Sequence, residues 1–187
     1  IKEYVVSSVK DAVKECGATF IGAHPMAGRE FSGYAYSLSD LYQNASFIIT
    51  PEDAPEDAVS TLEKLALSLG FGKVVKTTPR EHDEIIAYTS QLAHIVSSAY
   101  IKSPTLQKEV GFSAGSFKDL TRVAKLNEDM WTSLFIKNKE PLIFEIKEII
   151  ERLSEYLTSL ENEDSDTMKE LLKNGRILKE KSIEKNK

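Results

Sequence analysis

The chain has 187 residues, 41% apolar and 28% charged, the composition of a globular protein long enough to bury a substantial core. Its 24 basic and 29 acidic side chains leave a net charge of −5, without the basic surplus that makes nucleic acid a partner. A single cysteine, Cys16, excludes an internal disulfide framework and a cysteine-rich zinc site and fits a reducing, cytoplasmic setting, and no apolar run approaches the ~20 residues of a membrane span.

Val5, Val9, Ala12, Val13 and Cys16 recur at helical spacing over residues 3–16, and Gly17 offers a stop. Ala18–Gly22 (ATFIG) reads as a short buried strand, and residues 24–38, with Pro25, Gly28 and Gly33, as a loop. Ser46–Thr50 (SFIIT) is a second strand. A helix follows from about Pro55, with Val59, Leu62, Ala66 and Leu69 on one face and Gly70 at its end. Lys73–Thr77 (KVVKT) is a third strand. Strand, helix and strand in alternation predict an α/β layer with parallel strands. Three short strands read as the end of a larger sheet.

After Thr77 the pattern turns helical. Thr78, Pro79 and Glu81 fall at N-cap, N1 and N3, a capping box opening a helix that runs to about Tyr100. Ser116 and Asp119 offer a second capping box before Phe117–Lys125. Asn127 can cap a helix carrying Met130, Trp131, Leu134 and Phe135, and Asn138 the next. In that long helix Ile146, Ile150, Leu153, Leu157 and Leu160 form a seam suited to another helix. A last helix starts near Asp166, carries Met168, Leu171, Leu172 and Leu178, and frays at KEKSIEKNK. The fold class expected is mainly α with a small α/β part, divided into residues 1–77 and 78–187.

The segment richest in chemical signal is GAHPMAGREFSG, residues 22–33. His24 follows a strand, at the end where open α/β sheets bind ligands. An imidazole, with its ordinary pKa near ~6.5, can accept a proton at neutral pH. The plainer reading is a turn histidine that bonds locally. Taken alone, Arg122 reads as a surface ion-pair partner, His94 as a satisfied core histidine, His82 as a first-turn residue bonding locally through Asp83, and Met130 and Trp131 as core. His82 and His94 are twelve positions apart, about 120° around a helix at ~3.6 residues per turn, which is not a metal-ligand pair, and no metal is expected.

His24-Pro25-Met26-Ala27-Gly28, with Glu30 and Gly33, resembles the HPMAG-x-E-x-x-G segment of prephenate and arogenate dehydrogenases. Glu81-His82-Asp83 followed by Ser90-Gln91-Leu92-Ala93-His94 is similar to the family's HD…SHLPH helix, with Gln91 and Ala93 where the family often has His and Pro. Gly115 to Ala124 (GSFKDLTRVA), with Met130-Trp131 beyond, resembles its G-x-F-x-D-x-T-R-I-A…MW segment. The three segments stand in the family's order and span about residues 1–137.

The resemblance implies the end of a Rossmann-type nucleotide-binding domain, residues 1–77, followed by an all-helical dimerisation domain, residues 78–187. It implies NAD or NADP as cofactor, oxidative decarboxylation of prephenate to 4-hydroxyphenylpyruvate in tyrosine biosynthesis, and a homodimer. It casts His24 as the catalytic base and His94, Ser90, Arg122 and Gly115 as substrate-binding residues. The family's G-x-G-x-x-G fingerprint does not occur in this sequence, so its cofactor-binding residues are not assignable and the chain alone is expected to be inactive. Ile1-Lys2 resembles the tail of the family's D-x-x-S-[VI]-K segment, which puts the Ser that helps orient the His one position upstream. Two alternatives stay open: an arogenate dehydrogenase, or a non-catalytic helical dimerisation or regulatory module.

Overall fold

A computed structural model describes residues 1–29 and 33–185. Glu30 of the HPMAG segment and the last two residues of the KEKSIEKNK tail lie outside the described residues. Residues 1–142 form one compact unit and 143–187 a second.

The first unit opens with α1, Lys2–Glu15, and a three-stranded sheet of β1 (Gly22–Pro25), β2 (Ser46–Thr50) and β3 (Lys73–Lys76), in that spatial order. α2, Glu56–Ser68, joins β2 to β3. β2 and β3 are parallel, Ser46 opposite Lys73 and Ile49 opposite Lys76. β1 and β2 are antiparallel, Gly22 opposite Thr50 and Pro25 opposite Phe47, so the all-parallel expectation fails at this pair. The connections explain the difference. A parallel return needs a crossover element, which α2 supplies. Between β1 and β2 the described residues hold only the 3-10 turn Tyr34–Tyr36 and loop, and the chain turns straight back.

The core of this layer is Phe47, Ile49, Val59, Ala66 and Phe71, with Leu62 and Val74 packed against it. Phe71 lies between Tyr42 and Phe47, ring centroids 4.8 and 4.9 Å away. Val59 and Ala66 on α2 are buried as the spacing predicts, whereas Leu69 is exposed. On α1 the buried residue is Val6, not the Val5 of the predicted stripe. Val6 lies over Gly22, where an added Cβ would collide with Thr50 Oγ1, press on Lys2 and touch Val6. Only glycine lets α1 and β2 close on β1 from both sides at this position.

α3, Pro79–Ile86, begins as expected: Thr78 Oγ1 accepts the Glu81 N–H at 3.1 Å with Pro79 in the first turn. The helix reaches Tyr100 as expected, but not as one regular α-helix. Ala87–Leu92 is a π-helical stretch, and α4 resumes at Ala93–Tyr100. The Asn138 side chain reaches this point, donating from Nδ2 to the Asp83 carbonyl at 2.9 Å and to Gln91 Oε1 at 2.8 Å. The Asp83 carbonyl accepts the Ala87 N–H as well, so Asn138 adds a second donor to it. Asn138 therefore braces α3 from inside, a role unlike the simple cap its position predicts, and Gln91 is buried as its partner.

α5, Gly115–Thr121, has Ala114 as N-cap and no side-chain cap, so the predicted Ser116–Asp119 box does not form. α6, Glu128–Lys137, is capped by Asn127 Oδ1, which accepts the Met130 N–H at 2.9 Å. Met130 is 51% exposed and is not core. α7, Lys139–Glu161, carries the chain into the second unit, which its C-terminal part forms with α8, Ser165–Lys185. The turn between them is tight. Ser159 Oγ donates to the Asp164 carbonyl at 2.8 Å, and Asp164 caps α8 through Thr167. The predicted seam is exposed along this chain: Ile150, Leu153, Leu157 and Leu160 are each more than half accessible.

Candidate active site

The sheet, α1 and α3 meet at His24. The strand is Gly22–Pro25, not the predicted Ala18–Gly22, with which it shares only Gly22, so His24 lies within the strand, paired with Ile48 of β2, rather than beyond its end. Its Nδ1 is 2.8 Å from Nε2 of His82, in the first turns of α3. His82 Nδ1 is in turn 2.7 Å from Asp83 Oδ1. Asp83 Oδ1 accepts the Lys2 N–H at 2.6 Å and Oδ2 the Glu3 N–H at 2.9 Å, so this carboxylate satisfies the N-terminal turn of α1. The result is one line of hydrogen bonds from the α1 N-terminus through Asp83 and His82 to His24. His82 and Asp83 are each 1% exposed, whereas the His24 ring is only partly covered.

The electrostatics follow from this placement. Burial, then the positive charge of Lys2 and the neighbouring His82 ring, push the His24 imidazole down to about 4, with Asp83 opposing. His24 is therefore neutral at physiological pH and free to take a proton. Burial acts to raise the Asp83 carboxyl. The hydrogen bonds from His82, Lys2 and Glu3, with the chain amino group, outweigh it and hold Asp83 below the usual carboxylate range.

The remaining predicted residues lie on other elements. Ser90 is in the π-helical stretch and His94 in the first turn of α4. They are joined as their spacing implies, but through the backbone: His94 Nδ1 donates to the Ser90 carbonyl at 2.8 Å. That bond puts a proton on Nδ1. Trp131 of α6 stacks on His94, centroids 4.0 Å apart, so it supports a candidate site residue instead of filling the core. Gly115 opens α5 and Arg122 follows its last turn, both exposed. α5 packs on α4 through Phe117 and Tyr100, centroids 6.2 Å apart. Sequence reading missed that His82 and Asp83 belong to the His24 site. Their signal was the His-Asp pair in the first turns of a helix that starts right after β3, and a purely local bond between them was read into it.

No strand among the described residues runs through a glycine-rich turn into a helix N-terminus. β2 leads to α2 through Pro51-Glu52-Asp53-Ala54-Pro55, where two carboxylates oppose an anion, and β3 leads to α3 through Thr78, which already occupies the cap. The described residues therefore do not fit a dinucleotide's pyrophosphate.

Comparison with known proteins now bears on this geometry. Residues 1–76 match the family described as prephenate dehydrogenase, nucleotide-binding domain, and residues 78–174 that described as prephenate dehydrogenase, dimerization domain. The chain belongs to the prephenate dehydrogenase family. It is 30% identical over 155 residues to the prephenate dehydrogenase of Bacillus subtilis, covering 80% of this chain and 42% of that protein. It is 26% identical over 187 residues to the cyclohexadienyl dehydrogenase of Zymomonas mobilis, covering 94% of this chain and 61% of that one. The crystal structure of prephenate dehydrogenase from Aquifex aeolicus, in complex with hydroxyphenyl propionate and NAD+, superposes with a TM-score of 0.78 at 30% identity, over 92% of this chain and 62% of that chain. The chain thus spans only part of each relative, less than half of the Bacillus protein.

Proposed function

We propose that this chain supplies the proton-accepting and substrate-holding part of an enzyme that oxidatively decarboxylates prephenate to 4-hydroxyphenylpyruvate. The observation that carries the reading is His24: a neutral imidazole on a sheet strand, one nitrogen engaged by a buried partner and the other available. Residues 1–77 belong in this reading to the nucleotide-binding part and 78–187 to the helical dimerisation part. A nicotinamide dinucleotide, NAD or NADP, supplies the hydride acceptor when bound.

This chain's own part concerns the proton and the carboxylates. The 4-hydroxyl of prephenate donates a hydrogen bond to His24, and its proton passes to the ring as C4 is oxidised. The resulting ketone is vinylogous to a β-keto acid, so carbon dioxide leaves and the ring becomes aromatic. Prephenate is a dianion and needs fixed cations. Arg122 can grip a carboxylate through two parallel hydrogen bonds. His94 Nε2, Ser90 and Gly115 add polar contacts along the helical wall. The exposed seam from Ile150 to Leu160 fits burial against a second copy of the chain in a homodimer. A cytoplasmic location suits a free, exposed Cys16.

The test uses the whole enzyme, with its cofactor-binding segment, under conditions where hydride transfer limits the rate. His24→Asn should lower kcat roughly 10²–10⁴-fold with little change in substrate affinity. Arg122→Ala should weaken binding about ten- to 150-fold, the worth of a charge-assisted hydrogen bond of ~1.5–3 kcal/mol. An unchanged kcat in the first variant removes His24 from the mechanism. Turnover of arogenate in preference to prephenate would reassign the substrate to the side chain that carries an amino group in place of the keto group.

A further inference from the structure

The hydrogen-bond line behind His24 has a direction, which follows from what each atom can do. An ionised carboxylate only accepts, so the proton between Asp83 Oδ1 and His82 Nδ1 sits on His82. A neutral His82 then presents a bare Nε2. The His24 Nδ1 facing it at 2.8 Å must therefore be the N–H. A neutral His24 with its proton on Nδ1 has its lone pair on Nε2, the nitrogen left to meet a substrate hydroxyl.

The opposite arrangement needs a doubly protonated His82, whose Nε2–H would donate to His24 and push the His24 proton onto Nε2, blocking the base. Two features oppose it. His82 is 1% exposed, so a cation there is poorly solvated. Its one counter-charge, Asp83, already accepts the Lys2 and Glu3 N–H groups at the positive end of α1. Lys2, which also faces the pair, is itself positive and disfavours a further cation.

We propose that His82 is a positioning residue, held by Asp83, which fixes His24 as its Nδ1–H tautomer and so makes Nε2 the proton-accepting atom. This rests on the functional reading above for its catalytic consequence, but not for the tautomer itself. Asp83 thereby serves two partners at once. It is a helix cap for α1, 81 positions from Lys2, and the anchor of the imidazole pair. The N-terminus of α1 is thereby joined to His24 through three successive hydrogen bonds.

The experiment has two arms. The first is long-range proton–nitrogen correlation NMR of the histidine rings in this 187-residue chain at neutral pH. The expected result is His24 with a proton on Nδ1 and a bare Nε2, and in His82→Leu a shift of His24 toward the Nε2–H form. A wild-type spectrum with His24 protonated on Nε2 overturns the proposal on its own, whether or not the Leu variant folds. The second arm measures prephenate turnover by the whole enzyme. His82→Leu should lower kcat roughly 10- to 100-fold at nearly constant KM, a part of the worth of a correctly oriented base. His82→Gln, whose amide oxygen can reach the position of Nε2 and accept the His24 N–H, should recover most of the loss. Equal losses in the Leu and Gln variants count against positioning and for a packing role. If the wild-type enzyme does not turn over prephenate while the tautomer is as stated, the functional reading fails and the assignment of His82 stands.

Discussion

The displaced pKa of His24 makes the stability of this chain sensitive to mild acid, and the sign can be worked out. The folded-state value lies at about 4, below the ordinary 6.5 that applies in the unfolded chain. Between these values the unfolded chain binds more protons than the folded one, so stability falls as pH falls. Above the unfolded value neither state is protonated and the full stability is present. One pKa unit corresponds to about 1.4 kcal/mol, so the whole interval sets an upper limit near 3 kcal/mol, which water at the partly covered ring reduces. The perturbation is His24→Gln, and the assay is urea unfolding of this chain and of the variant at several pH values from 7 to 4.5. The comparison is of slopes against pH, not of absolute stabilities, because the variant also deprives His82 of a partner. The wild-type chain should lose stability toward pH 4.5 more steeply than the variant, by roughly 1–2 kcal/mol over the range. Parallel slopes would refute the claim that burial and the neighbouring Lys2 charge hold His24 neutral.

Three further predictions concern the frame around the site. Gly22→Ala forces a Cβ against the buried Thr50 side chain and should cost about 1–3 kcal/mol by chemical denaturation, net of the smaller gain from a stiffer unfolded chain; an equally stable variant means the Thr50 side chain can give way without cost. Asn138→Ala leaves the buried Gln91 Oε1 without its donor and takes one of two donors from the Asp83 carbonyl, which keeps the Ala87 N–H, and a loss of about 1–3 kcal/mol in thermal unfolding is expected for a buried group left unpaired. A variant with wild-type stability would show that water takes the place of the amide. Leu157→Lys together with Leu160→Glu should convert a dimer to monomer in sedimentation at micromolar concentration, because both leucines are more than half exposed on one helix. A dimer that persists in this double variant places its interface elsewhere.

What the sequence by itself determined is what acts over a few residues. Thr78, Pro79 and Glu81 start α3, and Asn127 caps α6, because a side-chain oxygen needs to reach only three positions ahead. SFIIT becomes β2 because its β-branched and aromatic residues alternate on a pleated, half-buried surface, and Val59 and Ala66 are buried because a helical period puts them on one side. The motif residues His24, Ser90, His94, Gly115 and Arg122 could be named from their order along the chain alone. Contacts between distant segments could not be read in this way. Val6 rather than Val5 is covered because of where Gly22 lets α1 approach, and β1 runs antiparallel because no crossover helix follows it. Asn138, 55 positions from the Asp83 carbonyl and 47 from the Gln91 side chain, holds both across the fold. The imidazole pair joins residues 58 apart and its anchor joins residues 81 apart. Such pairings cost chain entropy that no local signal repays, so they form only where the packed sheet and helices already bring the partners together.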